Sequence, residues 1–121
     1  MPGCRTITHN GQTIHYFDYS GCDAETFLRV FDQANSILLA HSDEDRLCFI
    51  ANFAGVPMTQ STVKAIHNVK SRQANRGVYR GAILGADRFK RVVLNTFNAI
   101  TGKRYRAFAD LESALVYLTG K

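Results

Sequence analysis

Leu47-Cys48-Phe49-Ile50-Ala51-Asn52-Phe53 is apolar at nearly every position, so both faces of a strand built from it are apolar. A strand with one wet face would alternate between apolar and polar residues. This one needs cover on both sides, as parallel strands in α/β sheets do. Its neighbours identify that cover. Upstream, beyond the acidic loop Ser42 to Asp45, a helix is expected from a cap at Asp23 through about His41. Its Phe27, Val30, Phe31, Ala34 and Leu38 recur at the three-and-four spacing of one buried stripe. Before that helix, Asn10-Gly11 separates Thr6-Ile7-Thr8 from Thr13-Ile14-His15-Tyr16-Phe17. This predicts a hairpin, because Asn and Gly tolerate the positive φ angles of a two-residue turn.

Downstream, Thr59 follows Pro57 as the N-cap of a second helix running to about Gly77, with Val63, Ile66 and Val69 facing inward. Tyr79 to Gly85 forms a second buried strand centred on Ala82-Ile83-Leu84. Asp87 caps a third helix that ends at Gly102, and Tyr105-Arg106-Ala107-Phe108 is a short strand. Asp110 caps a final helix with Leu111, Ala114, Leu115 and Leu118 on one face and Gly120 just past its end. A hairpin followed by alternating helices and strands builds a mixed, largely parallel α/β sheet of about five strands with about four helices. One domain over residues 1–121 is expected, since no linker or repeat interrupts the chain.

The 121 residues carry 15 Lys plus Arg against 10 Asp plus Glu, a formal charge of +5. That average conceals two unlike halves. Residues 1–63 hold three arginines against seven acids, a balance of −4, whereas residues 64–121 hold twelve bases against three acids, +9. Three widely spaced cysteines, Cys4, Cys22 and Cys48, fit reduced thiols rather than a disulfide framework. No Cys or His pair has zinc-ligand spacing, and neither a metal nor another cofactor is expected. The first residues, Met1-Pro2-Gly3-Cys4-Arg5, lack the apolar stretch of a signal peptide, so a cytoplasmic location is expected.

Four segments together resemble the SpoIIAA-like family, small bacterial proteins with the fold of STAS domains (sulfate transporters and anti-sigma-factor antagonists). They are Ile14-His15-Tyr16-Phe17-Asp18-Tyr19-Ser20-Gly21, Ala51-Asn52-Phe53-Ala54-Gly55-Val56, Gly81-Ala82-Ile83-Leu84-Gly85, and the run from Phe108 to Leu118. The resemblance implies a cytoplasmic protein-binding module. For some members it also implies association with the inner membrane or binding of an apolar ligand. Phospho-regulated STAS proteins carry Asp-Ser-Ser/Thr-Gly where the second helix begins, and this chain reads Gln60-Ser61-Thr62-Val63 there. Ser61 matches the phosphorylated serine and Thr62 its neighbour, while the flanking Asp and Gly are replaced. First-turn hydroxyls also satisfy free helix N–H groups without any regulatory role, and this simpler reading is preferred.

No Ser or Cys has a locally specified base, the glycines make no phosphate loop, and no catalytic residue is assigned. The basic half is more informative. Residues 64–106 hold eleven Lys or Arg against Asp87 alone, and Arg88, Lys90 and Arg91 crowd the first turn of the third helix. Cations there oppose the positive end of the helix dipole, and locally unfavourable choices mark functional positions. The starts of the second and third helices share the carboxyl edge of the sheet, where α/β proteins bind ligands. Arg88, Lys90 and Arg91 are therefore expected to bind an acidic protein partner or an anionic group, near Ser61. On the third helix Phe89, Val92, Val93, Phe97 and Ile100 should share the buried arc. Leu94 projects off that arc as a candidate membrane contact beside Lys90. An anionic lipid or apolar ligand is the alternative partner, a homodimer is left open, and nucleic acid ranks below these because aromatic and basic residues do not interleave on the strands.

Overall fold

A computed structural model describes residues 2–120. The hairpin joins β1 (Gly3–His9) to β2 (Gln12–Asp18), and its turn is made by Asn10 at φ 50° and Gly11 at φ 75°. The chain continues through α1 (Ala24–Ala40), β3 (Cys48–Asn52), α2 (Gln60–His67), α3 (Val69–Ala74), β4 (Arg80–Leu84), α4 (Arg88–Thr101), β5 (Arg106–Phe108) and α5 (Leu111–Thr119). The five strands lie in chain order, with β1 antiparallel to β2 and all later neighbours parallel. This is the mixed, largely parallel sheet expected, with five helices.

Strand order dictates which face each helix covers. Every crossover steps the sheet in the same direction, so right-handed connections place α1, α2, α3 and α4 on one face. No strand follows α5, which is free to close the other. The two cores divide accordingly. Phe17, Tyr19, Phe49, Ala51 and Ile83 pack under α1 and α4, while Ile14, Tyr16, Cys48, Ile50, Ala82 and Leu84 pack under Ala114 and Leu118 of α5.

The helix starts follow the local cap chemistry. The side chains of Asp23, Thr59, Asp87 and Asp110 each accept the N–H of the residue three positions on. The single second helix expected from Thr59 to Gly77 is instead two. Asn68 adopts an extended ψ of 152° and its side chain accepts the Lys70 N–H at 2.9 Å, starting α3 afresh. The break turns the helix stripe, so Ile66 is buried and Val69, expected inside, is exposed.

Candidate functional site

Between the sheet and the four-helix layer lies a largely apolar cavity of about 70 Å³, several times the roughly 10–15 Å³ that one water needs. Its floor is one row across three strands, because register pairs Phe17 with Ala51 and Ala51 with Ile83. The small Ala51 at the centre makes that row concave. In the next row Gly81 lies between larger neighbours. A Cβ there would come within 2.8 Å of the Phe49 and Tyr105 rings, whose edges occupy the space instead. Phe31, Ala34, Asn35 and Leu38 of α1 and Val93, Leu94 and Phe97 of α4 complete the walls.

Polar groups enter this lining at few places. Tyr105 donates its hydroxyl to Asn75 Oδ1 at 2.8 Å, and Asn75 Nδ2 donates to the Ser71 carbonyl at 2.8 Å. Burial pushes the Tyr105 phenol far above its ordinary range, which keeps it protonated as a donor. Ser71 Oγ is buried with no hydrogen-bond partner, an uncommon state for a hydroxyl. A cleft of about 210 Å³ between α1 and the α2–α3 break shares Phe31, Asn35 and Ser71 with the cavity. Across it Lys70 Nζ pairs with Asp32 Oδ1 at 3.0 Å, both side chains well exposed.

The basic first turn of α4 is not the open rim that its composition implies. Lys90 curls back into the cavity lining with 9% of its side chain exposed. Its Nζ donates to the Phe53 carbonyl at 2.9 Å and lies 3.8 Å from Asp87 Oδ2. Asp87 Oδ1 accepts the Lys90 N–H at 2.9 Å, so one carboxylate serves both the helix cap and the cation. Arg88 and Arg91 remain exposed, and Arg91 Nε donates to the Ala86 carbonyl at 3.3 Å. Among the described residues neither arginine has a carboxylate within salt-bridge distance. Leu94, expected on the outside, packs against the core and lines the cavity. The exposed apolar residues of α4 are Phe89, Val92 and Ile100. The helix carries more apolar surface than one face can bury, and the contact with α2 rotates Leu94 inward and those three outward.

At the start of α2, Ser61 is exposed with its Oγ 2.9 Å from Thr59 Oγ1. Thr62 is fully buried, donating to the Thr59 and Pro57 carbonyls, so its hydroxyl is a structural tie. No hydrogen bond or ion pair among the described residues joins Ser61 to Arg88, Lys90 or Arg91. Elsewhere cations of the basic half hold the segments that follow helices α3 and α5. Arg80 Nη1 donates to the Tyr117 and Gly120 carbonyls at the end of α5, and Lys103 Nζ to those of Arg76 and Val78. The cavity lining was missed from sequence because its residues meet only through register and helix packing.

Two of the solved structures that match are similar to this chain in fold. An uncharacterized DUF3478-family protein with a SpoIIAA-like fold from Shewanella loihica matches at a TM-score of 0.69 and 14% identity, over 98% of this chain and 95% of that one. The chain has a SpoIIAA-like fold. An anti-sigma-factor antagonist (STAS) domain protein from Planctomyces limnophilus is also similar, with a TM-score of 0.56 and 13% identity over 98% of this chain and 99% of that one. No protein-family model and no curated protein matches the sequence. In this SpoIIAA-like fold the cavity lies between the sheet and its four-helix layer. No helix among the described residues is long and apolar enough to cross a membrane.

Proposed function

We propose that the chain is a non-enzymatic binding module for a small amphipathic molecule, with its apolar body in the cavity and its anionic head at Lys90. The observation that carries this reading is a lysine whose side chain is largely buried in the lining of an apolar cavity. The one short contact of its ammonium is a neutral carbonyl, and its carboxylate neighbour lies beyond hydrogen-bond distance. Ligand pockets combine apolar walls with a few polar groups that fix orientation, and the orphaned Ser71 hydroxyl adds a second such point. Nothing beside Ser71 Oγ activates it as a nucleophile, since both ends of the Asn75 amide are engaged.

Displacement of an environment-sensitive apolar dye by octanoate and by octanol tests this reading on the full chain. Octanoate should displace the dye saturably and at least about tenfold more tightly than octanol, because a charge-assisted hydrogen bond contributes about 1.5–3 kcal/mol. Lys90→Met, which keeps the apolar stem, should erase that preference while leaving dye binding intact. Absence of saturable displacement from the unaltered chain overturns the reading.

A second reading rests on the exposed face of α4, where Phe89, Val92 and Ile100 lie beside Arg88 and Arg91. We infer that this face docks on an acidic protein surface, its apolar centre buried and its arginines at the rim. Replacing both arginines with Ala should reduce salt-sensitive partner recovery severalfold with the melting temperature unchanged. Undiminished recovery excludes this face. Equal loss of sedimentation with phosphatidylglycerol vesicles would reassign it to a bilayer.

A further inference from the structure

Toward the end of the sheet away from Lys90, three ligating side chains from separate parts of the sequence converge. His15 lies in mid-strand on β2, facing the same side as Phe17, and is 7% exposed. His41 is the C-cap of α1, its N–H donating to the Ile37 carbonyl at 3.2 Å. The Glu44 N–H donates to the His41 carbonyl at 3.1 Å, closing a turn that brings the Glu44 carboxylate into contact with His41 Nδ1. The two imidazole rings lie 4.8 Å apart between centroids, tilted by 50°. One ligating atom from each residue lies within 4.8 Å of the other two.

We propose that His15, His41 and Glu44 form a binding site for a divalent first-row transition ion, with Zn²⁺ the best match to two imidazoles and a carboxylate. Three protein donors with one position left to solvent is a common arrangement for this ion. Tetrahedral bonds of about 2.0–2.1 Å place donors about 3.3 Å apart, so the widest gap must close by about 1.5 Å. The outer two ligands can make that movement, because the His41 and Glu44 side chains are 45% and 51% exposed. His15 is the fixed point, and its ring is stacked 6.3 Å from that of Phe17.

Two further features favour a cation here. Asp43 and Asp45 flank Glu44 in the same exposed loop and make the local potential negative. The loop is also held close: Gly77 abuts Ser42 so tightly that a Cβ would lie 2.9 Å from Ser42 Cα. An ion pair between His41 and Glu44 alone would leave the convergence of buried His15 on both of them without a role.

Calorimetric titration of the full chain with Zn²⁺, paired with Co²⁺ absorption spectra, tests the site. One ion per chain with micromolar affinity is expected, and a Co²⁺ spectrum free of thiolate charge-transfer bands. His41→Ala, at an exposed position, should weaken binding by about tenfold or more, since even changes behind the ligands cost 10–100-fold. Glu44→Gln should weaken it, and His9→Ala, outside the cluster, should leave it unchanged. The proposal is overturned if the unaltered chain binds no Zn²⁺, if His41→Ala binds equally well, or if thiolate bands place the ion on cysteine.

Discussion

Gly85→Ala is expected to lower folding stability by about 3 kcal/mol or more, read as a shift of the urea midpoint. Gly85 follows β4 at φ +70°, a conformation that costs an L-residue roughly 1–2 kcal/mol. The added methyl also collides with backbone: it would lie 2.7 Å from Ala54 Cα and closer still to the Ala54 nitrogen. Ala54 cannot retreat. Its N–H donates to Asn52 Oδ1 at 3.0 Å and its carbonyl accepts the Gly21 N–H at 2.8 Å. Forced overpacking of this kind costs roughly 1–3 kcal/mol on top of the conformational term. The neighbouring Phe53 carbonyl holds Lys90, so surviving folded protein should also lose part of its octanoate preference. A midpoint within about 0.5 kcal/mol of the parent, the usual range for neutral surface changes, would show that the edge loops yield freely.

Leu118→Ala should cost a similar amount by another route. Leu118 is fully buried in the smaller core, where α5 is, among the described residues, the sole helix over Ile14, Ile50 and Ala82. Truncating a buried leucine costs about 2.7–5 kcal/mol, depending on how far its surroundings collapse. The hydrogen bonds from Arg80 and Arg46 to the Gly120 carbonyl still pin the end of α5, so the cavity should not close by collapse. Dye affinity measured below the unfolding transition should be unchanged, because the sheet separates this core from the ligand face. A parallel fall in affinity would mean that the two faces are coupled through the strands.

The features legible in sequence were those decided within a few residues. Asp23, Thr59, Asp87 and Asp110 could be read as caps because capping is a contact over three positions. The Asn10-Gly11 turn was legible for the same reason. The Asn68 break was not, since Val63, Ile66 and Val69 continue a regular stripe across it. What competes with that stripe is tertiary: His67 Nε2 lies 3.1 Å from the Val93 carbonyl of α4, and Asn68 caps the next helix. On α4 the wide spread of apolar residues was evident, but which part of the arc would meet α1 and α2 depended on their placement. For that reason Leu94 and Phe89 exchanged roles. Counting the cations of the basic half gave no sign that Lys90, Arg80 and Lys103 would be bound to carbonyls rather than presented to solvent. The cavity floor was hidden because Phe17, Ala51 and Ile83 are distant in sequence and adjacent only across the ladder.

The interruption at Asn68 gives the helical layer a mechanical joint. α2 leans on α4 through His67, and α3 is tied to α1 by Lys70 and Asp32. A continuous helix would have to lose intrahelical bonds to bend there. Here the ladder is already open, and the one ion pair across the mouth of the cleft is solvent-exposed and worth only about 0–1 kcal/mol, although Ala74 of α3 is buried in the core with α1. A change in the angle between the two short helices would widen the cleft that Ser71 lines, while the Phe17–Ala51–Ile83 floor is held by the hydrogen-bonded ladder of three strands.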